Sequence, residues 1–119
     1  AAQLAEARRI APVAAVQNRF DVAMTADTAL LDVCAREKIA FVPYFPLGGF
    51  GLPDDDRVRR VAARRGATTA QVLLAGLLAM SPVMLAVPGT SDPAHLEENI
   101  AAAGLRLTDE DLADLSAVG

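Results

Sequence analysis

The chain contains a single cysteine, a single histidine, a single tyrosine and a single lysine, and no tryptophan. One cysteine leaves no partner for an internal disulfide, which points to a reducing compartment, the cytoplasm. Cys34 sits in the apolar run Leu30-Leu31-Asp32-Val33-Cys34-Ala35 with no histidine near it in sequence, so a buried cysteine is expected rather than a nucleophile. The lone His95 lacks companions for a metal site or a catalytic triad, and by itself it reads as a surface residue. No apolar stretch reaches the ~20 residues needed to span a bilayer, so no membrane partner is expected. An excess of positive charge is also missing. The net charge is −4, which gives no attraction for a phosphate backbone, so no nucleic-acid partner is expected either. The one basic cluster, Arg57, Arg59, Arg60, Arg64 and Arg65, has helical spacing and is expected to form a solvated face.

What is present is apolar surface. Of 119 residues, 53% are hydrophobic and only 4% aromatic, enough to build one modest domain or part of a larger one from Ala, Leu and Val. The opening Ala1-Ala2-Gln3-Leu4-Ala5-Glu6-Ala7 has no initiator methionine and no basic leader, and reads like the middle of a helix. The expectation is a chain that begins inside a longer protein.

Apolar spacing predicts a helix over 2–10, ended by Pro12. Residues 13–17 form a short apolar run suited to a buried parallel strand, followed by a loop over 18–26. Asp27 or Thr28 caps a helix to about Lys38. Residues 39–44 read as a second strand, with Pro43 marking where regular pairing stops. The Gly/Pro-rich stretch 45–53 is a loop. A helix over 54–65 ends at Gly66, and Thr68 or Thr69 caps another over 70–80 that contains Gly76. Residues 83–87 read as a third strand. Ser91 or Asp92 caps a helix over 93–103 with Pro93 in its first turn, and Thr108 starts a last one. Strands alternating with helices predict a parallel α/β sheet covered by helices. Three strands cannot close a barrel, which needs about eight, so neighbouring strands are missing and two sheet edges stand open.

In parallel α/β units ligands bind at the C-terminal ends of the strands. Three segments fall there: Gln17-Asn18-Arg19-Phe20, Tyr44-Phe45-Pro46-Leu47-Gly48-Gly49 and Pro88-Gly89-Thr90-Ser91. The last runs into a helix N-terminus, whose free N–H groups and dipole suit an anion. Glu97 and Glu98 are adjacent on a helix and diverge, so they make no catalytic dyad, and Glu97 reads as solvated. No metal site is expected.

Four of these segments, in order and spacing, resemble the aldo-keto reductase family, and the resemblance covers essentially the whole chain. Pro88-Gly89-Thr90-Ser91-Asp92-Pro93-Ala94-His95-Leu96-Glu97-Glu98-Asn99 is similar to its "IPGTS-x-x-x-HLxEN" signature, and Pro43-Tyr44-Phe45-Pro46-Leu47-Gly48-Gly49 to its "x-Y-S-P-L-G" segment. Val16-Gln17 resembles the end of the family's sixth strand, and Leu107-Thr108-Asp109-Glu110-Asp111-Leu112 its C-terminal tail. The resemblance implies the C-terminal part of a (β/α)8 TIM barrel, its sixth to eighth strands, from an enzyme that reduces aldehydes and ketones with NADPH. On that reading Gln17 holds the nicotinamide carboxamide and Tyr44 stacks on its ring. Leu47, Gly48 and Gly49 let the backbone approach the pyrophosphate, and Phe45 and Pro46 beside them also belong to the cofactor site. Pro88, Gly89, Thr90 and Ser91 lie at the adenosine 2′-phosphate with His95, which stands where many members carry arginine. Glu98 and Asn99 bind the adenine edge.

Three departures stand out. Phe45 replaces the family's usual serine. Gly76 replaces a large aromatic, so looser packing is expected there. The lack of basic residues at Gly89 and His95 leaves NAD(H) open beside NADP(H). The family's catalytic Asp, Tyr, Lys and His come from earlier strands, and none is in this chain. Tyr44 is at the stacking position and Lys38 ends a helix. The chain alone is therefore expected to be inactive, completed by the missing N-terminal part of the barrel. The alternative is a truncated half-barrel or regulatory relative that binds nucleotide, or self-associates through its open sheet edges, without turnover. The substrate expected of the complete enzyme is a small carbonyl compound.

Overall fold

In a computed structural model, residues 1–23, 27–47 and 54–118 are described. The order is α1 (Ala2–Ile10), β1 (Ala15–Arg19), α2 (Thr28–Glu37), β2 (Ala40–Tyr44), α3 (Asp56–Arg65), α4 (Thr69–Ala79), α5 (Pro93–Ala101), a 3-10 turn (Ala102–Gly104) and α6 (Asp109–Ser116). Side-chain caps open α3 to α6, whereas Asp27 before α2 makes no cap bond and its carboxylate accepts from Asn18 Nδ2 instead. Asp55 accepts from the Arg57 N–H, Asp92 from Ala94, and Thr68 and Thr108 each form a capping box with the residue three positions on. α3 ends at Gly66, whose φ of +60° is the left-handed value that glycine adopts without cost.

β1 and β2 pair in parallel, in register from Ala15↔Ala40 to Arg19↔Tyr44. β1 therefore continues through Asn18 and Arg19, where a loop was expected. The expected third strand is a correction. Residues 83–87 contribute one bridge, Phe41↔Met84, with Phe41 N–H donating to the Val83 carbonyl at 2.8 Å and Leu85 N–H to the Phe41 carbonyl at 2.9 Å. The cause is the parity of Pro43. Ala40 N–H points to β1, donating to Ala14, so the backbone groups of Phe41 and Pro43 point to the third segment. Proline has no N–H, and the ladder stops on that side while it continues on the other.

The two faces of the sheet differ. Phe41 and Pro43 are buried beneath the helices, and Phe20 packs edge-on to Phe41 with ring centroids 5.4 Å apart. Cys34, Val58, Val61, Val72, Leu73 and Leu77 complete this core, and burial pushes the Cys34 thiol pKa up. On the other face Ala15, Gln17 and Arg19 of β1 are exposed, as is Tyr44 of β2. Among the described residues no helix is long and apolar enough to cross a membrane.

Candidate cofactor groove

Paired residues of a parallel ladder project to the same side, so Gln17, Arg19, Val42 and Tyr44 share the uncovered face. Gln17 stands two residues, ~7 Å, short of Arg19 and its partner Tyr44 at the C-terminal rim. There the chain turns sharply. Phe45 has φ +56°, a left-handed backbone that a bulky residue rarely adopts, and its ring meets Tyr44 edge-to-face at 5.4 Å. Both rings remain open to solvent, Tyr44 at 40% and Phe45 at 51%. The pair forms an aromatic ledge at the strand end.

Two cavities follow from this ledge. The first, about 410 Å³, is lined by Tyr44, Phe45, Pro46 and Leu47 on one side and Val87, Pro88 and Gly89 on the other. The second, about 260 Å³, has Leu47, Gly89, Thr90, His95, Glu98 and Asn99 in its wall. Leu47 and Gly89 belong to both, so the cavities adjoin, the first with aromatic and the second with polar surroundings. The structure thus brings together Tyr44, Phe45, Pro46, Leu47, Pro88, Gly89, Thr90, His95, Glu98 and Asn99. Gln17 and Ser91 line neither cavity, and Gly48 and Gly49 lie outside the described residues.

The polar cavity has a wall that the sequence reading missed: Thr68, Thr69 and Ala70, at the start of α4. First-turn N–H groups have no acceptor within their own helix, so Thr69 and Ala70 present donors there. The expected anion site at the α5 N-terminus is modified in turn. Asp92 caps that helix with its own carboxylate, accepting from Ala94 at 2.8 Å, while its N–H donates to the Thr90 hydroxyl at 3.1 Å. The His95 imidazole Nδ1 lies 4.0 Å from the Asp92 carboxylate. The donors offered to an anion in this cavity are therefore the first-turn N–H groups of Thr69 and Ala70 in α4, the backbone N–H and imidazole of His95 in α5, and the hydroxyls of Thr69 and Thr90.

The arginine cluster is a solvated face only in part: Arg59, Arg60 and Arg64 are exposed, but Arg57, Arg59, Arg64 and Arg65 are engaged by carboxylates. Arg64 and Arg65 converge on Asp111, which is fully buried and also accepts the Thr108 N–H at 3.0 Å. Burial works against the charge of Asp111. The Thr108 N–H and the side-chain bonds from Arg65, Thr108 and Arg64 outweigh it and hold the carboxyl far below its ordinary range. Arg57 binds Asp55 and the Ala117 carbonyl, and Arg59 pairs with Asp54 and Asp56. The bonds of Arg64 and Arg65, with that of Arg57 to Ala117, fasten α6 across α3, while those to Asp54, Asp55 and Asp56 stay within the start of α3. The space at Gly76 is likewise not simply loose. Leu115 of α6 packs on it, and a second hollow of about 410 Å³ lies beside the contact, lined by Val22, Met80, Leu112 and Val118 among others.

Over residues 1–119 the sequence matches the Aldo/keto reductase family. The chain belongs to this family. It is 49% identical over 116 residues to pyridoxine 4-dehydrogenase of Escherichia coli, covering 98% of this chain and 41% of that protein. An uncharacterised oxidoreductase of Schizosaccharomyces pombe is 37% identical over 115 residues, covering 96% of this chain and 38% of the relative. Among solved structures, a thermostable aldo-keto reductase in complex with the inhibitor epalrestat superposes with a TM-score of 0.87 at 27% identity, covering 98% of this chain and 44% of that one. A putative 2,5-diketo-D-gluconic acid reductase B gives the same TM-score and identity over 98% and 42%. The chain thus spans about two fifths of the length of these relatives, and its fold is part of the aldo-keto reductase (β/α)8 barrel.

Proposed function

We propose that the chain is the C-terminal, cofactor-gripping part of an oxidoreductase that reduces aldehydes or ketones with NADP(H), NAD(H) remaining open. The observation that carries this reading is the pair of adjoining cavities that share Leu47 and Gly89, one aromatic at Tyr44 and the other hydrogen-bonding at His95. Its donors suit the cofactor piece by piece. The N–H groups of Thr69 and Ala70, with His95, fit a phosphate ester, while Glu98 and Asn99 fit the amino edge of adenine. The exposed Tyr44 ring offers a stacking surface for a nicotinamide, and Gln17 on the same sheet face fits its carboxamide. When bound, such a cofactor supplies the hydride. The residues of this chain bind and orient it.

Proton donation lies elsewhere on this reading. Lys38 lies two residues before β2 and Tyr44 ends it, with the ~13 Å length of the strand between them, so they do not form a lysine-activated tyrosine. The general acid and most of the carbonyl pocket come from the remaining, N-terminal part of the barrel, which also covers the free edges of β1 and of residues 83–87. A cytoplasmic setting agrees with the single, buried Cys34.

Titrating the natural protein with NADPH and NADH, followed by nicotinamide fluorescence, tests the site. Saturable binding that weakens on Tyr44→Ala supports it, and absence of binding to either cofactor overturns it. Intact mass and carbonyl turnover test the rest. A species near 12.4 kDa that binds nucleotide without turnover, or pairs with itself, selects the half-barrel alternative.

A further inference from the structure

The two walls of the polar cavity belong to different helices, α4 and α5, and one side chain joins them. Gln71 is half-buried in the first turn of α4. Its Oε1 accepts the Thr68 N–H at 3.0 Å, and its own N–H donates to the Thr68 hydroxyl at 3.2 Å. Its Nε2 donates to the Glu98 carbonyl at 3.1 Å, 27 residues further along the chain. That carbonyl also accepts the Ala102 N–H, so both of its lone pairs are used. Gln71 lines neither cavity, yet both ends of its amide are spent on the backbone of the residues that do. Thr68, Thr69 and Ala70 stand on one side of the bond, and His95, Glu98 and Asn99 on the other.

We infer that Gln71 is a positioning residue that sets the separation of these two walls and thereby the affinity for a ligand carrying both a phosphate ester and an adenine. The inference rests on the cofactor reading above and adds to it a residue outside the groove. α5 has no buried residue of its own, so little side-chain packing fixes its place against α4. A hydrogen bond from a neutral amide is one of few directional ties across the gap. Chemistry separates the two ends of the amide. Gln71→Glu keeps an oxygen for the Thr68 cap but offers the Glu98 carbonyl another acceptor. Gln71→Leu removes both interactions.

The test uses the natural protein, with adenosine 2′,5′-bisphosphate as probe, because it engages the polar cavity without the nicotinamide end. Affinity is measured by calorimetry at a temperature where thermal unfolding curves show every variant folded. Gln71→Glu is expected to weaken the probe about five- to tenfold, the scale of one lost hydrogen bond, with an unfolding midpoint close to that of the parent. Gln71→Leu is expected to lose as much affinity and to unfold earlier, because the return bond of the capping box, from the Thr68 N–H, is gone as well. Parent-like affinity in Gln71→Glu overturns the inference and leaves the cofactor reading intact. A loss of affinity in Gln71→Leu alone also overturns it, since the residue then acts only through the cap. A parent protein that binds neither the probe nor NADPH overturns both.

Discussion

Arg65 of α3 donates its Nε–H to the buried carboxylate of Asp111 in α6, across 46 residues of sequence. Arg64 reaches the other oxygen of the same carboxylate at 2.9 Å, and Thr108 closes the ring. Asp111 is inaccessible to solvent, whereas the two arginine side chains are 35% and 29% exposed. Removing the carboxylate therefore leaves cations that water still reaches, and the cost falls below that of a fully buried broken pair. Asp111→Ala is expected to lower unfolding free energy by about 2 kcal/mol. Urea denaturation measures it, and a change under about 0.5 kcal/mol, the range of ordinary surface substitutions, contradicts the clamp.

The same carboxylate makes stability sensitive to acid. Its folded-state pKa lies below the unfolded value of about 3.9, so its contribution is complete above that pH. As pH falls below about 4 toward the folded value, protonation progressively removes it. Glu37, bonded to Arg8, and Asp55, bonded to Arg57, shift in the same direction. Both lie nearer the surface, where ion pairs contribute little. Urea midpoints followed from pH 6 to pH 3 are expected to fall more steeply for the parent than for Asp111→Asn. Parallel curves would place the acid sensitivity in other groups.

Gly76 and Leu115 supply a packing test. A Cβ at position 76 would stand 2.8 Å from Leu115 Cδ1, the mobile end of a side chain that borders an unfilled hollow. Gly76→Ala gains about 1 kcal/mol of helix propensity and costs a similar amount in displacing Leu115. The single substitution is expected to be close to neutral. Leu115→Ala alone costs about 3 kcal/mol, and in that background Gly76→Ala is expected to stabilise by about 1 kcal/mol. A double-mutant cycle reads the coupling directly. Identical effects in both backgrounds would mean that the two residues do not touch.

The parts legible in the sequence were those set by local chemistry. Thr68, Asp92 and Thr108 cap the helices they introduce because an acceptor next to a free N–H needs no distant partner. The groove residues from Tyr44 to Leu47 and from Pro88 to Thr90 were legible because parallel strands end on one rim. The third strand was not, since its failure depends on which side of β2 the missing N–H of Pro43 faces, a matter of register. Arg64 and Arg65 looked solvated because their partner Asp111 lies 46 or more residues away. The α4 wall escaped notice for the same reason: Thr68 and Thr69 read as caps, and only the packing of α4 beside α5 turns them toward Gly89 and His95.

His95 offers a direct probe of cofactor choice. It shares the polar cavity with Thr90, Thr69 and Ala70, and among the described residues the one carboxylate within 4.0 Å of its ring is that of Asp92, already engaged as a helix cap. A guanidinium at this position adds a fixed fork of donors, matched to a phosphate monoester and not to a ribose hydroxyl. His95→Arg is expected to raise the preference for NADPH over NADH by about tenfold, through tighter NADPH binding with little change for NADH. The gain should shrink as salt is raised, because the cavity is open and the attraction is screened. Fluorescence titration of both cofactors at two ionic strengths gives the ratio. An unchanged ratio would place the 2′-phosphate away from His95, and an equal gain for both cofactors would assign the new cation to the pyrophosphate instead.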